Sequence, residues 1–420
     1  MRKAYVEELQ PGMILGKDVR NERGDILLAR GVTLSPRYIT ALRRMGFYAI
    51  YVRDGIADDV EPPDLLTERV RSATAKHVRQ LFALALSAAP DGAMGPRRRS
   101  AVGNLMGAAM PSVAQLYRDV ERIIDQAANT QVLAGVASLK SHDNYTFEHS
   151  VEVAVVGIVL GLRLRLMPLE LHQLALGCLC HDIGKVVVPK EILNKPGPLE
   201  PHELEVMRKH PETGFDMVRQ IIGESDIIAR HIVWQHHERQ DGSGYPRGLR
   251  GLNEFSLPRE GHFGRGLILP AAEIAAVAEV YASLASDQAY RRALSPAQIV
   301  RVLRRTAGSY LNEEVVKRFL SILPLYPVGT QVLVISGQLQ GHRGVVTRLN
   351  PSDPQRPVVR ILFDPAGAPV APFEVDTAED PTVELALASC PNSEDEDQPV
   401  PEGTGNEDDR ICESERDATG

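Results

Sequence analysis

Ten of the twelve histidines in this 420-residue chain fall between positions 142 and 262. Among them stand His149, the pair His181-Asp182, His210 and the pair His236-His237, with a later acid, Glu279. Imidazole nitrogens mixed with carboxylate oxygens suit borderline first-row metals such as iron, manganese or zinc. Adjacent side chains such as His181 and Asp182 project in different directions, so one short segment can serve two metals with the carboxylate bridging them. Two metals about 3.5–4 Å apart would hold a hydroxide against a phosphodiester and stabilise the attacking oxygen. Lys185, four residues after His181, could then neutralise a phosphate oxygen. A lone histidine most often binds nothing, but two adjacent pairs with further donors form a set that packing alone does not explain. His202 and His231 read as packing or surface residues.

These donors must be positioned by helices. Each falls on a different predicted helix, as expected where facing helices build a metal site inside a bundle. From about 145 to 322 the chain reads as helix after helix, an all-α core domain placed at 141–325. Leu171, Leu174, Ala175, Cys178 and Leu179 form one apolar stripe; Ile227, Ile228 and Ile232 form another; Ile274, Val277, Tyr281 and Leu284 form a third. Pro201 and Pro270 sit where first turns tolerate proline. Cys178 and Cys180 could ligate a metal, although buried packing is the commoner fate of cysteine.

Around this core the composition shifts. Residues 1–60 alternate short β-type runs with glycine turns and one helix from Pro36 to Met45, which predicts an α+β accessory module. Residues 53–66 are acidic and carry a Pro-Pro pair, as a linker would, and 67–140 form a helical connector. Val113, Leu116, Val120, Ile123 and Ile124 lie on one helix face of that connector. The triplet Arg97-Arg98-Arg99 reads as a solvated loop rather than an anion site. Residues 326–378 run β-branched between glycine and proline turns, a small β unit with no evident chemistry. The expected fold class is therefore mainly α: a helical-bundle core, a small N-terminal α+β module, a small C-terminal β unit and an acidic tail at 389–420.

Charge and composition exclude several classes. The formal charge is −8, but residues 391–420 hold eleven acids against two arginines, −9 in all, leaving +1 on residues 1–390. A nearly neutral body argues against binding DNA or RNA polymers. The tail is too poor in apolar residues to offset its ordering entropy and is expected to be disordered. No run of 18 apolar residues occurs, since Val151–Leu162 is broken by Glu152, so no membrane span is expected. The first residues reach acid before any hydrophobic stretch, and four scattered cysteines make no disulfide framework, which together point to the cytoplasm.

Several motifs carry a family resemblance. His181-Asp-Ile-Gly-Lys185 resembles the signature of the HD phosphohydrolase superfamily. Gln235-His-His-Glu-Arg-Gln-Asp-Gly-Ser-Gly-Tyr-Pro-Arg-Gly-Leu249 resembles the hallmark of its HD-GYP branch. Tyr145–Ser150, Ile192–Gly197 and Met207–Pro211 fit the same pattern in the same order, so the resemblance spans about 140–325. Leu9–Leu15 resembles, more weakly, a domain found ahead of such units. The resemblance implies a cyclic di-GMP phosphodiesterase that opens the cyclic dinucleotide to pGpG and in some members continues to GMP. It implies His149, His181, Asp182, His210, His236 and His237 as metal ligands, with two divalent ions, iron or manganese. Trinuclear members carry a glutamate four residues before the first histidine; Tyr145 stands there, which implies a binuclear site.

The loop Gly244-Tyr245-Pro246 has its own reading. Glycines at 242, 244 and 248 allow close approach of backbone to a ligand, and Tyr245 offers a π-face on which a guanine could stack. Three departures from the family pattern follow it. Glu279 replaces the ligand aspartate, keeping the charge but adding a methylene. Ala282 stands where many members have a second aspartate. Ser286-Asp-Gln-Ala-Tyr-Arg291 replaces Ser-Asp-Arg-Pro-Tyr-Arg, so Gln288 loses a phosphate-gripping guanidinium while Arg291 keeps one. Two functions stay open: an enzyme acting on cyclic di-GMP or a related cyclic dinucleotide, and a module that binds the dinucleotide or a signalling protein partner without turnover. Hydrolysis of mononucleotides is disfavoured by the GYP segment.

Overall fold

A computed structural model describes residues 1–20, 26–45, 47, 49–88, 113–128, 145–195, 197–222, 224–256, 266–286 and 293–388. The Arg97–Arg99 triplet, Gln288, Arg291 and the acidic tail lie outside the described residues. The N-terminal unit begins with β1 (Arg2–Tyr5), β2 (Ile14–Leu15), β3 (Val19–Arg20) and β4 (Ile26–Leu28), then α1 (Pro36–Arg44) and β5 (Ala49–Arg53). β5 lies between β1 and β2, antiparallel to both, with Arg2 opposite Val52 and Ile14 opposite Arg53. Ser35 caps α1 by accepting from the Tyr38 amide at 3.3 Å, and Pro36 occupies its first turn. Ile39 and Leu42 of α1 close the core against Leu15, Ile50 and Val52.

The helical core follows: α2 (Glu68–Ala88), α3 (Val113–Ala128), α4 (Tyr145–Arg163) and α5 (Pro168–Cys180), then a 3₁₀ turn over Ile183–Val187. α6 (Lys190–Leu193), α7 (Pro201–Met207), α8 (His210–Ile221), α9 (Ile227–Gln235), α10 (Pro270–Leu284), α11 (Pro296–Thr306) and α12 (Glu313–Leu320) complete it. One apolar cluster runs from Leu65 to Leu323 through these helices except α6 and α7, which pack in a small cluster of their own around Val188, Leu199 and Met207. α10 is buried on every side from Ala271 to Leu284, which an alanine-rich, nearly charge-free helix permits. Glycine sets the closest approaches. A Cβ on Gly177 of α5 would lie 2.7 Å from Ile232 of α9, and one on Gly157 of α4 would lie 3.2 Å from the Cys178 sulfur. Cys178 and Cys180 are buried free thiols within this packing, and burial pushes the Cys180 thiol up to about 12.

The C-terminal strands β6 (Gln331–Val334), β7 (Arg343–Arg348), β8 (Val358–Phe363), β9 (Pro369–Asp376) and β10 (Leu385–Leu387) form one antiparallel sheet in the order β10-β6-β7-β8-β9. Its core includes Ala57 and Val60, from the stretch whose composition suggested a linker. Arg360 of β8 grips Asp59 at 2.7 Å, and the Lys3 amide donates to Gly329 at 2.9 Å. Among the described residues no helix is long and apolar enough to cross a membrane.

Candidate metal centre

The donors predicted from sequence sit mostly at helix ends. His149 lies in the first turns of α4. His181 and Asp182 follow the last residue of α5, His210 opens α8, and His236 and His237 follow the last residue of α9. Glu279 alone projects from mid-helix, on α10. A helix end lets two consecutive side chains turn inward, which a regular helix spacing of about 100° per residue would prevent. The 3₁₀ turn and α8 then meet backbone to backbone: a Cβ on Gly184 would lie 2.0 Å from the His210 carbonyl oxygen and 2.7 Å from the Gly214 nitrogen. That contact places Asp182 beside His210.

Six of the seven predicted ligands form two overlapping groups whose donor atoms converge: Asp182 with His210, His236 and His237, and Asp182 with His149 and His181. All six are buried, and Asp182 belongs to both groups. Glu279 stands against the second group, with Oε2 at 2.7 Å from His149 Nε2 and 3.2 Å from His181 Nε2, while its Oε1 accepts from the Ser283 hydroxyl at 3.1 Å.

Backbone carbonyls orient the imidazoles. Nδ1 of His181 lies 2.7 Å from the Cys178 oxygen, Nδ1 of His210 lies 2.8 Å from Met207, and Nδ1 of His236 lies 2.9 Å from Val233. A carbonyl only accepts, so each Nδ1 carries a proton and each ring aims Nε2 at the centre, where a neutral ring offers a lone pair. Nε2 of His210 and of His236 come within 3.3 Å of each other, an arrangement of facing lone pairs that a cation relieves. Asp182 Oδ1 is buried and accepts no hydrogen bond, with those two nitrogens 3.5 and 3.9 Å away. This donor set fits divalent first-row ions.

The electrostatics follow from the same contacts. Burial alone would raise the carboxyl of Asp182, but His181 and Lys185 outweigh it and hold it well below the usual range. Burial opposes the charged form of His181 too, yet Asp182 and Glu279 pull its pKa well above the ordinary value. His236 is driven well below its ordinary value by burial and by His237, His181 and His210. Lys185 is buried, its Nζ 3.1 Å from Asp182 Oδ2, where it braces the carboxylate.

The glycine-rich loop forms one wall. Gly242 and Gly248 adopt positive φ of 82° and 64°, and a Cβ on Gly244 would meet the Arg239 nitrogen at 2.4 Å. Tyr245, joined to Pro246 by a cis peptide, stacks on His237 with centroids 4.7 Å apart and planes at 21°. The Arg208 guanidinium lies over the same ring at 5.5 Å, so a base stacking on Tyr245 would have to displace it. His231 packs beside Phe215 and Trp234, away from the ligand atoms, and His202 is exposed.

Two residues here are not singled out by sequence reasoning. The Glu238 carboxylate accepts from the amides of Arg247 at 2.8 Å and Leu249 at 2.7 Å, pinning the loop. It stands next to the His-His pair, where an acid reads as one more ligand candidate or as solvent-facing. Arg208 is two positions before His210, and only the loop's placement reveals it.

Residues 136–315 match the HD domain family model. A cyclic di-GMP phosphodiesterase of Pseudomonas aeruginosa is 33% identical over 231 residues, covering 55% of this chain and 51% of that protein. The 3'3'-cGAMP-specific phosphodiesterase 1 of Vibrio cholerae is 34% identical over 185 residues, 44% of this chain and 38% of the relative. The chain thus spans about half the length, or less, of these relatives. An HDG"Y"P protein from Bdellovibrio bacteriovorus of known structure is 16% identical with a TM-score of 0.37, covering 76% of this chain and 97% of that one. Over residues 136–315, which hold the His181-Asp182 pair and the Gly244-Tyr245-Pro246 loop, the chain is similar to the HD domain family.

Proposed function

We propose that the chain is a metal-dependent phosphodiesterase that opens cyclic di-GMP, or a related cyclic dinucleotide, to the linear pGpG and onward to GMP. The observation that carries this reading is the shared carboxylate: Asp182 belongs to both buried donor groups, so one residue would link two ions. His210, His236 and His237 would hold one ion, His149, His181 and Glu279 the other, with Asp182 between them. Iron or manganese suits such a mixed imidazole and carboxylate set. Divalent ions there would supply Lewis-acid polarisation of a phosphoryl oxygen and acidify a water. Lys185 keeps Asp182 ionised and oriented, and the loop carrying Tyr245 bounds the side from which a dinucleotide enters. The setting proposed is the cytoplasm, where the free thiols Cys178 and Cys180 remain reduced.

A second reading rests on Glu279. Its carboxylate lies against Nε2 of both His149 and His181, and the extra methylene relative to the family's aspartate brings it that far. This favours a module that binds the dinucleotide with slow turnover or none. The discriminating measurement is hydrolysis of cyclic di-GMP by protein loaded anaerobically with Fe(II) or Mn(II), with metal content determined on the same samples. Turnover lost in the His181→Ala/Asp182→Ala variant supports the enzyme. Two bound metals without turnover of any cyclic dinucleotide would sink it in favour of the binding module.

A further inference from the structure

We propose that Arg208 is a substrate-binding residue of this centre: its guanidinium, held on Tyr245, engages the second phosphate of a cyclic dinucleotide while the first lies at the His/Asp cluster. The inference rests on the function proposed above. Tyr245 is stacked at 4.7 Å on His237, a member of the donor cluster, and Arg208 lies over the tyrosine at 5.5 Å. Tyr245 is thus the one ring that both the imidazole of His237 and the guanidinium of Arg208 approach. The contacts lead from His237 in the cluster through Tyr245 to an exposed cation.

Three other cations of the described residues near the cluster are engaged elsewhere. Lys185 is buried against Asp182 at 3.1 Å. Arg239 stacks over Tyr310 at 4.0 Å, and Arg247 over Trp234 at 4.8 Å. Arg208 is exposed, and among the described residues no carboxylate pairs with it. A guanidinium presents a planar fork that matches phosphate oxygens. Stacking on an aromatic ring preorganises that fork without using its N–H groups. A simple diester has one phosphate and occupies the cluster alone; a cyclic dinucleotide carries a second, which needs a cation beyond it. Arg208 is two residues before His210, so the end of α7 and the start of α8 set its backbone beside the cluster.

The test uses the full chain, loaded anaerobically with Mn(II), as wild type, Arg208→Ala, Arg208→Lys and Lys209→Ala, the last removing an adjacent exposed charge that does not stack on Tyr245. Substrates are cyclic di-GMP and bis(4-nitrophenyl) phosphate, which has a single phosphate. Arg208→Ala is expected to raise KM for cyclic di-GMP roughly tenfold, the effect of one charge-assisted contact. Its kcat and its rate on bis(4-nitrophenyl) phosphate should stay near wild type, with Arg208→Lys recovering part of the KM and Lys209→Ala showing no such split. An unchanged KM, or equal losses on both substrates, overturns the proposal. If wild type turns over neither substrate, the phosphodiesterase reading has failed, and equilibrium dialysis of labelled cyclic di-GMP then reads the same contact as a Kd. In that case a tenfold weaker Kd in Arg208→Ala supports the contact; equal Kd values, or no binding by wild type, overturn it.

Discussion

Two buried glutamates stand six residues apart on α10, and their surroundings give them opposite character. Glu273 is met by neutral amides, with Gln240 donating at 2.7 Å and Asn312 at 3.0 Å, and burial outweighs both to push its pKa up to about 7. Glu279 is buried more deeply still, but His149 and His181 outweigh the burial and hold it well below the usual carboxylate range. Burial is thus common to both; the imidazoles are what make one of them a site for positive charge. Glu273 ties α10 to the N-cap of α12, since Asn312 caps that helix by accepting from the Val315 amide at 3.1 Å. Glu279 faces the donor cluster, and the difference can be broken or sharpened by substitution.

The largest effect is expected at the residue both donor groups share. Asp182→Ala should remove both ions and lower the rate on cyclic di-GMP by more than about 100-fold, the upper end for losing an outer-shell partner of a metal. Metal analysis with single-turnover assays would check it. Retention of one full equivalent would show that the two groups do not depend on Asp182 in common.

Next comes Glu279 itself. Glu279→Gln keeps the shape and removes the charge, so metal content should fall from two equivalents toward one and the rate by about 10–100-fold. Glu279→Asp keeps the charge and removes the methylene, and should retain both ions. If Glu279→Gln leaves metal content intact, Glu279 is a structural acid of the same kind as Glu273 and the contrast between them collapses.

A third test approaches the cluster from its other side. Gly184→Ala puts a Cβ 2.0 Å from the His210 carbonyl, where both partners are backbone and neither can swing away. The cost should be at least about 1–3 kcal/mol, seen as a lower urea midpoint. His210 should be displaced with it, so metal content falls while the pairing of Glu279 with His149 survives. A wild-type midpoint would show that the 3₁₀ turn and α8 are not held in the contact described.

The sequence reading reached the donors because adjacency is a local property: a His-Asp or His-His pair is visible as two letters, and only a helix end lets both turn inward. The helical reading of 145–322 holds too, although α10 and the last two turns of α5 are buried all round and not along one stripe. What escaped is long-range. Ala57 and Val60 belong to the core of a sheet some 270 residues further on, so acidic neighbours and a Pro-Pro pair disguised them as linker. Arg208 and Glu238 gain their roles only once the glycine-rich loop folds over His237. Glu279 is set apart from Glu273 in the sequence only by the family pattern it falls in, because nothing in their immediate neighbours tells an acid that will meet amides from one that will meet imidazoles.

The smallest expected effect isolates Glu273. Its folded-state pKa of about 7 lies above the ordinary 4.5, so the folded chain keeps a proton that the unfolded chain releases within that window. Stability from this group is therefore full below the unfolded value, declines as pH rises toward 7, and levels off above it. The decline amounts to at most about 3 kcal/mol. Glu273→Gln abolishes that slope, so the variant should gain on wild type in urea unfolding between pH 5 and pH 8. Any hydrogen bond lost to Gln240 or Asn312 adds only a pH-independent offset. Metal content and KM should not change. For Glu279→Gln the sign reverses: its depressed pKa contributes stability above the ordinary value and loses it as pH falls, so this variant should be the less stable one at neutral pH. Parallel pH profiles for wild type and Glu273→Gln would mean that Gln240 and Asn312 hold Glu273 ionised, and that amides suffice where imidazoles were thought necessary.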